Sequence, residues 1–269
     1  MELESSNSIE GLGIESRRKI VLEYLKKLES VRKPFIIGYI LRIIPLVDIA
    51  GYIMTGILWI KTTQLTKEKL FIATAIMLLL TSVLSIYQQF IQFSEIMPTL
   101  TYERRNLTQQ QYIGELINLT DYSVRIYRLD YPLMNAFLTV TLVLETMAFL
   151  ILYRRCSEVF KIRVPILFLI LAIIVAVSIP VAFQVAAGLE TFKKEKLEPY
   201  LHGKLLTREE ITNIMLEYAF IQAPLSMIGI LVFILKIVAY VIAVLAFRDV
   251  DKYLRELRVM YETSLPPPA

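Results

Sequence analysis

Four charged residues stand inside stretches otherwise apolar enough to cross a membrane: Arg42 and Asp48 in "IIGYILRIIPLVDIAGYIM", Glu145 in the third apolar segment and Lys236 in the last. Counted at ~1.5 Å per helical residue from the nearest flanking basic residue, all four fall near a midplane ~15 Å deep in the hydrocarbon. An unpaired charge at that depth costs at least ~2.5–3.5 kcal/mol on insertion scales, so each is expected to be paired. Two are basic and two acidic. Proximity predicts Arg42 with Asp48, across a turn, and Glu145 with Lys236, between two helices. Such pairs do one of two things. They relay protons or ions, as intramembrane ionisable groups often do, or they lock helices together or dock a partner subunit. No third titratable group continues a path, which favours locks. Use of Glu145 or Asp48 as an intramembrane base is a third chemistry, with less to support it.

A second polar set lies toward the expected outer ends of the apolar segments. Gln88, Gln89 and Gln92 occupy adjacent turns, Asn135 opens the third segment, and Gln184 and Gln222 sit near Pro180 and Pro224 in the last two. Together Gln88, Gln92, Asn135, Gln184 and Gln222 predict an outward-opening polar vestibule. The alternative is that they satisfy kinked backbone and contact interfacial water. A single cysteine, Cys156, and a single histidine, His202, leave almost nothing for zinc, haem or copper, so no metal and no cofactor is expected. No phosphate-binding glycine loop, nucleophile elbow or zinc-binding His-Glu motif occurs, and no catalytic residue is assigned.

The elements that must carry these residues follow from composition. The chain of 269 residues is 56% hydrophobic, with a mean hydropathy of +0.57, which is too apolar for an ordinary soluble domain. Its apolar segments, 35–60, 70–97, 131–153, 164–189 and 219–247, are near or above the ~20 residues a crossing needs. None alternates with a period of two, so they are helices rather than barrel strands. The predicted fold is all-α: a polytopic integral membrane helical bundle of four full spans plus an N-terminal re-entrant hairpin or fifth span. Three regions result, a cytoplasmic amphipathic N-terminal helix (1–33), a membrane domain (34–247) with outer segments 98–130 and 190–218, and a cytoplasmic C-terminal helix and tail (248–269). The first 33 residues are polar or amphipathic, so no cleavable leader is expected.

Basic residues set the topology. A single crossing at 35–60 would put the N-terminal cluster (Arg17, Arg18, Lys19, Lys26, Lys27, Arg32, Lys33) opposite the two short basic loops at 61–69 and 154–163. That breaks the positive-inside rule. If the segment instead dips in and returns, turning near Pro45, both loops and both tails share the cytoplasmic face. A re-entrant turn must be sheltered by protein, because lipid cannot satisfy freed amides. The competing reading keeps one tilted span that Pro45 merely kinks.

The soluble parts predict surfaces. Val21, Tyr24, Leu25, Leu28 and Val31 share one helical face, as do Val250, Tyr253, Leu254 and Leu257. These faces are expected to pair with each other, bind a cytoplasmic partner or lie on anionic lipid. Thr108 with Gln111 predicts a capping box for a short helix ending before Asn118, and Thr207 with Glu210 another. The segment 98–130 mixes tyrosines with Arg104, Arg105, Arg125 and Arg128, as in a headgroup-level lid; contact with nucleic acid has weak electrostatic support there. Asn106 and Asn118 lie in glycosylation triplets.

The run "GYILRIIPLVDIAGYIMTGILWIKTT", residues 38–63, resembles the opening hairpin of multi-pass membrane proteins common in archaea, which read Gly-Tyr-Ile-Leu, then Ile-Pro, then Asn or Asp before a glycine. Abundant isoleucine beside one Cys, one His and one Trp points the same way, toward a thermophilic archaeal source. The resemblance implies no activity. Asp48 stands where Asn is expected. The function expected from the whole chain is non-enzymatic: a translocation-path component or integral subunit of a membrane transport, secretion or DNA-transfer assembly in the cell membrane, as a homo-oligomer or with other membrane subunits. An accessory or assembly subunit of a respiratory complex is the alternative.

Overall fold

The computed structural model describes residues 14–44, 47–100, 109–201 and 207–264. Pro45, Thr108, Asn106 and His202 lie outside them, as does the side chain of Gln92. Every described element is helical: α1 (Ile14–Leu41), α2 (Asp48–Thr66), α3 (Leu70–Leu100), α4 (Gln109–Arg125), a π-helical turn (Ile126–Asp130), α5 (Tyr131–Arg155), α6 (Arg163–Phe192), a second π-helical turn (Lys193–Leu197), α7 (Glu198–Leu201) and α8 (Arg208–Ser264). Four helical stretches are long and apolar enough to cross a membrane, at 70–90, 111–155, 163–200 and 209–256. The chain is therefore an all-α, multi-pass membrane protein. Only 33% of the apolar window is buried within the chain in three of these stretches, and 28% in the fourth. The remainder faces outward, as a lipid-solvated surface does.

One expectation about elements changes. The helix expected to stop before Asn118 runs on to Arg125 and joins α5 through the π turn, because its apolar face is used beyond Asn118, with Val124 buried. The apolar segment 35–60 is not one helix. α1 stops after Leu41, where the amides of Ile43 and Ile44 turn back to the carbonyls of Ile40 and Leu41, and α2 starts at Asp48. Such three-residue bonds tighten a helix end. An acid in the first turn of α2 suits the positive end of the helix dipole.

Pairs between α1 and α2 run in opposite order along the two helices: Phe35 meets Trp59, Gly38 meets Thr55 and Arg42 meets Gly51. The two helices are thus an antiparallel hairpin. It is tight because two glycines face each other. A Cβ on Gly51 would stand 2.6 Å from the Arg42 amide nitrogen and 2.8 Å from the Gly38 carbonyl oxygen, and one on Gly38 would stand 2.8 Å from a Thr55 methyl. Thr55 and Thr62 hydroxyls return to the carbonyls of Gly51 and Leu58 at 2.9 and 2.8 Å, so these polar groups are satisfied within α2.

Chain packing divides the protein into two compact units. The first takes residues 1–78, 144–166 and 239–269: the hairpin, the start of α3, the end of α5, the loop to α6 and the end of α8. Its core includes Val21, Leu25, Leu28 and Val31 of α1 with Val250 and Leu254 of α8. The amphipathic faces of both tails are thereby used inside the chain. Arg32 of α1 bonds Asp251 of α8 at 2.5 Å, and Arg155 bonds Glu68 at 3.0 Å.

The second unit takes residues 79–143 and 167–238. One cluster joins Ile113, Leu116, Phe192, Leu197 and Ile214, and another joins Val124, Ala182, Val185, Ala186, Leu189 and Leu225. Ion pairs Arg128–Glu190 (2.6 Å), Lys193–Asp121 (2.7 Å) and Lys196–Glu217 (3.3 Å) join its helices at the surface. The capping box of α8 forms as its residues predict: the Thr207 amide donates to Glu210 Oε2 at 2.8 Å and the Glu210 amide to Thr207 Oγ1 at 3.2 Å.

Candidate functional site

The first unit encloses an ion pair. Arg42 closes the turn after α1 and Glu145 lies on α5, and both are fully buried. Arg42 Nη1 donates to Glu145 Oε1 at 2.6 Å and Nη2 to Oε2 at 2.8 Å. This is the two-pronged geometry for which guanidinium and carboxylate are matched. Three tyrosines complete the site. Tyr39 donates its hydroxyl to Glu145 Oε1 at 3.0 Å, Tyr240 of α8 accepts from Arg42 Nη2 at 2.7 Å, and the Tyr52 and Tyr240 hydroxyls lie 3.3 Å apart. The guanidinium carbon also lies 4.3 Å from the ring centres of Tyr52 and Tyr240 and 5.2 Å from that of Tyr39. Arg42 Nε has no acceptor; the ring faces surrounding the cation supply negative potential in place of one.

The hairpin brings these groups together. Tyr39 precedes Arg42 by one turn of α1, and Tyr52 sits beside Gly51, where α2 touches Arg42. Beside the pair lies an aromatic core. Phe35 stacks on Phe247 at 4.5 Å, Trp59 meets Phe35 and Phe71 at 4.9 Å each, and Phe160 meets Phe247 at 5.5 Å edge-on. Five helices, α1, α2, α3, α5 and α8, therefore contribute to the charge pair and the rings beside it.

The predicted partners are corrected. The carboxylate that takes Arg42 is Glu145's, not Asp48's, and both Glu145 oxygens accept from Arg42. Asp48 instead opens α2, half-buried, and Lys236 is half-buried on α8 in the other unit. Of the five vestibule residues, the structure describes the side chains of four. Asn135 donates to Ser178 Oγ at 3.1 Å, Gln184 is exposed, Gln222 is half-buried, and Gln88 lines a small pocket with none of the others.

The sequence reading missed Tyr39, Tyr52 and Tyr240. A signal was present: membrane tyrosines usually sit in the interfacial belts, yet these lie well inside apolar segments, at the depth of the charges. Among the described residues no group of His, Cys, Asp and Glu is placed to hold a metal ion. Cys156, buried in the loop after α5, is a shielded thiol that burial pushes up to about 12. A thiol so poorly ionised at neutral pH is no nucleophile.

Fold and site together define a multi-pass helical membrane protein built around a buried, tyrosine-caged arginine–glutamate pair. No protein-family pattern, curated protein or solved structure matches the chain.

Proposed function

We propose that the chain is a non-enzymatic integral subunit of a membrane assembly for transport, secretion or DNA transfer, in which α1 and α2 re-enter the membrane from the cytoplasmic face and the Arg42–Glu145 pair holds them there. The observation that carries this is the pair itself: fully enclosed, bidentate and shared between the hairpin and α5. A catalytic carboxylate needs reach to a substrate proton; here both carboxylate oxygens are engaged by protein donors. A relay needs a group that releases its proton, and a guanidinium does not. The lock reading uses every contact made.

Support for re-entry comes from the antiparallel order of α1 and α2 and from the Arg32–Asp251 contact, which joins α1 to the C-terminal part of α8. Support for a place in an assembly comes from the spans, of which about a third is covered by the chain itself. Purification in mild detergent followed by mass spectrometry of the intact particle tests the assembly role. Co-purifying membrane subunits or a defined homo-oligomer are expected, and a stable monomer free of partners overturns it.

A further inference from the structure

The second unit carries a pocket that the buried pair does not use. It opens where the apolar part of α3 ends and that of α5 begins, has a volume of about 30 Å³, and is lined by Leu84, Tyr87, Gln88, Tyr122, Ile126, Asp130, Leu133 and Met134. Its chemistry is divided. Leu84, Ile126, Leu133 and Met134 make most of the lining apolar, and two tyrosines, one amide and one carboxylate complete it. One wall is the π-helical turn Ile126–Asp130, a departure from α geometry that often marks a functional position.

Asp130 ends that turn, half-buried, and no described residue pairs with its carboxylate. The nearby arginines are committed elsewhere: Arg128 bonds Glu190 at 2.6 Å, and Arg125 lies 5.6 Å from the Tyr122 ring centre. A half-buried carboxylate in a lining that also holds two tyrosines is complementary to an organic cation. It attracts the charge directly, and the rings attract it through their quadrupoles. A primary ammonium, with three N–H donors, suits a carboxylate acceptor better than a trimethylated one. The apolar lining then receives the chain that carries the cation.

We propose that this pocket binds a primary ammonium, held by Asp130 with Tyr87 and Tyr122. Two sources share that chemistry, an ethanolamine lipid headgroup and a free alkylamine, and the apolar lining favours the lipid. The site is independent of the Arg42–Glu145 pair and stands or falls without it.

Native mass spectrometry of the full chain in detergent, with equimolar phosphatidylethanolamine and phosphatidylglycerol, reads the site directly. Preferential retention of the ethanolamine lipid, lost in Asp130→Asn and weakened roughly three- to fivefold in Tyr87→Leu, is the expected result. Tyr87 is 60% exposed, so its replacement leaves the fold intact; circular dichroism and the thermal midpoint verify this for both variants. Free ethanolamine at millimolar concentration separates the sources. If it binds in an Asp130-dependent way while the two lipids are retained equally, the ligand is a soluble amine. Equal retention of both lipids with no ethanolamine binding, or retention unchanged in a folded Asp130→Asn protein, overturns the proposal.

Discussion

Arg42 and Glu145 are 103 residues apart in the chain, yet neither is complete without the other. Removing one member of a buried pair leaves an uncompensated charge and costs about 3–5 kcal/mol, whereas replacing both by apolar residues of similar size is often near neutral. Arg42→Met and Glu145→Leu are each expected to lower the unfolding midpoint in detergent sharply, and the double variant to recover most of the loss. Additive losses in that cycle would show that the contact is not coupled. That these residues are buried charges in need of partners was legible from residue type and depth. Which partner was not: two cations and two anions admit two pairings, and proximity along the chain favoured Asp48 for Arg42. The fold chose otherwise because Asp48 opens α2, where the helix dipole suits it, while Arg42 faces α5 and α8.

At the scale of elements, the break between α1 and α2 was legible as a proline beside a charge in an apolar run. The close approach of the two helices was not, because a glycine shows its use only once its neighbour is known. Gly51→Ala would drive a methyl group to 2.6 and 2.7 Å from Arg42 atoms and 2.8 Å from a carbonyl. Overpacking of that kind costs about 1–3 kcal/mol, since backbone rather than a flexible side chain must move. The variant should show a lower thermal midpoint than Ala50→Gly at the exposed neighbour; equal midpoints would contradict the tight crossing. Tail pairing has a pH signature. Hydrogen bonds first from Arg32 and then from Arg255 lower the pKa of Asp251 below the usual carboxylate value. A depressed carboxylate contributes stability above its unfolded pKa and loses it as pH falls through the lower, folded value. The Arg32–Asp251 link should therefore hold from neutral pH down past the ordinary range near ~3.9 and fail only below it. Asp251→Asn should flatten the acid limb of midpoint against pH, and an unchanged limb would count against the link.

For the whole molecule, four crossings were legible because hydropathy and length suffice to mark them, and each predicted apolar segment from 70 onward lies within a long described helix. A vestibule was less legible, since a glutamine's position along a helix does not fix which way it faces. Our central claim is that α1 and α2 form a re-entrant hairpin returning to the face it left. Single cysteines introduced at Lys33 and Lys61 in intact membranes test it most directly with an impermeant thiol reagent. Cys156 can stay in place, because burial holds its thiol at about 12 and it should remain unlabelled at pH 8 until the chain is unfolded. The account predicts that both positions label from the cytoplasmic side. Labelling of Lys33→Cys from one side and Lys61→Cys from the other would contradict it.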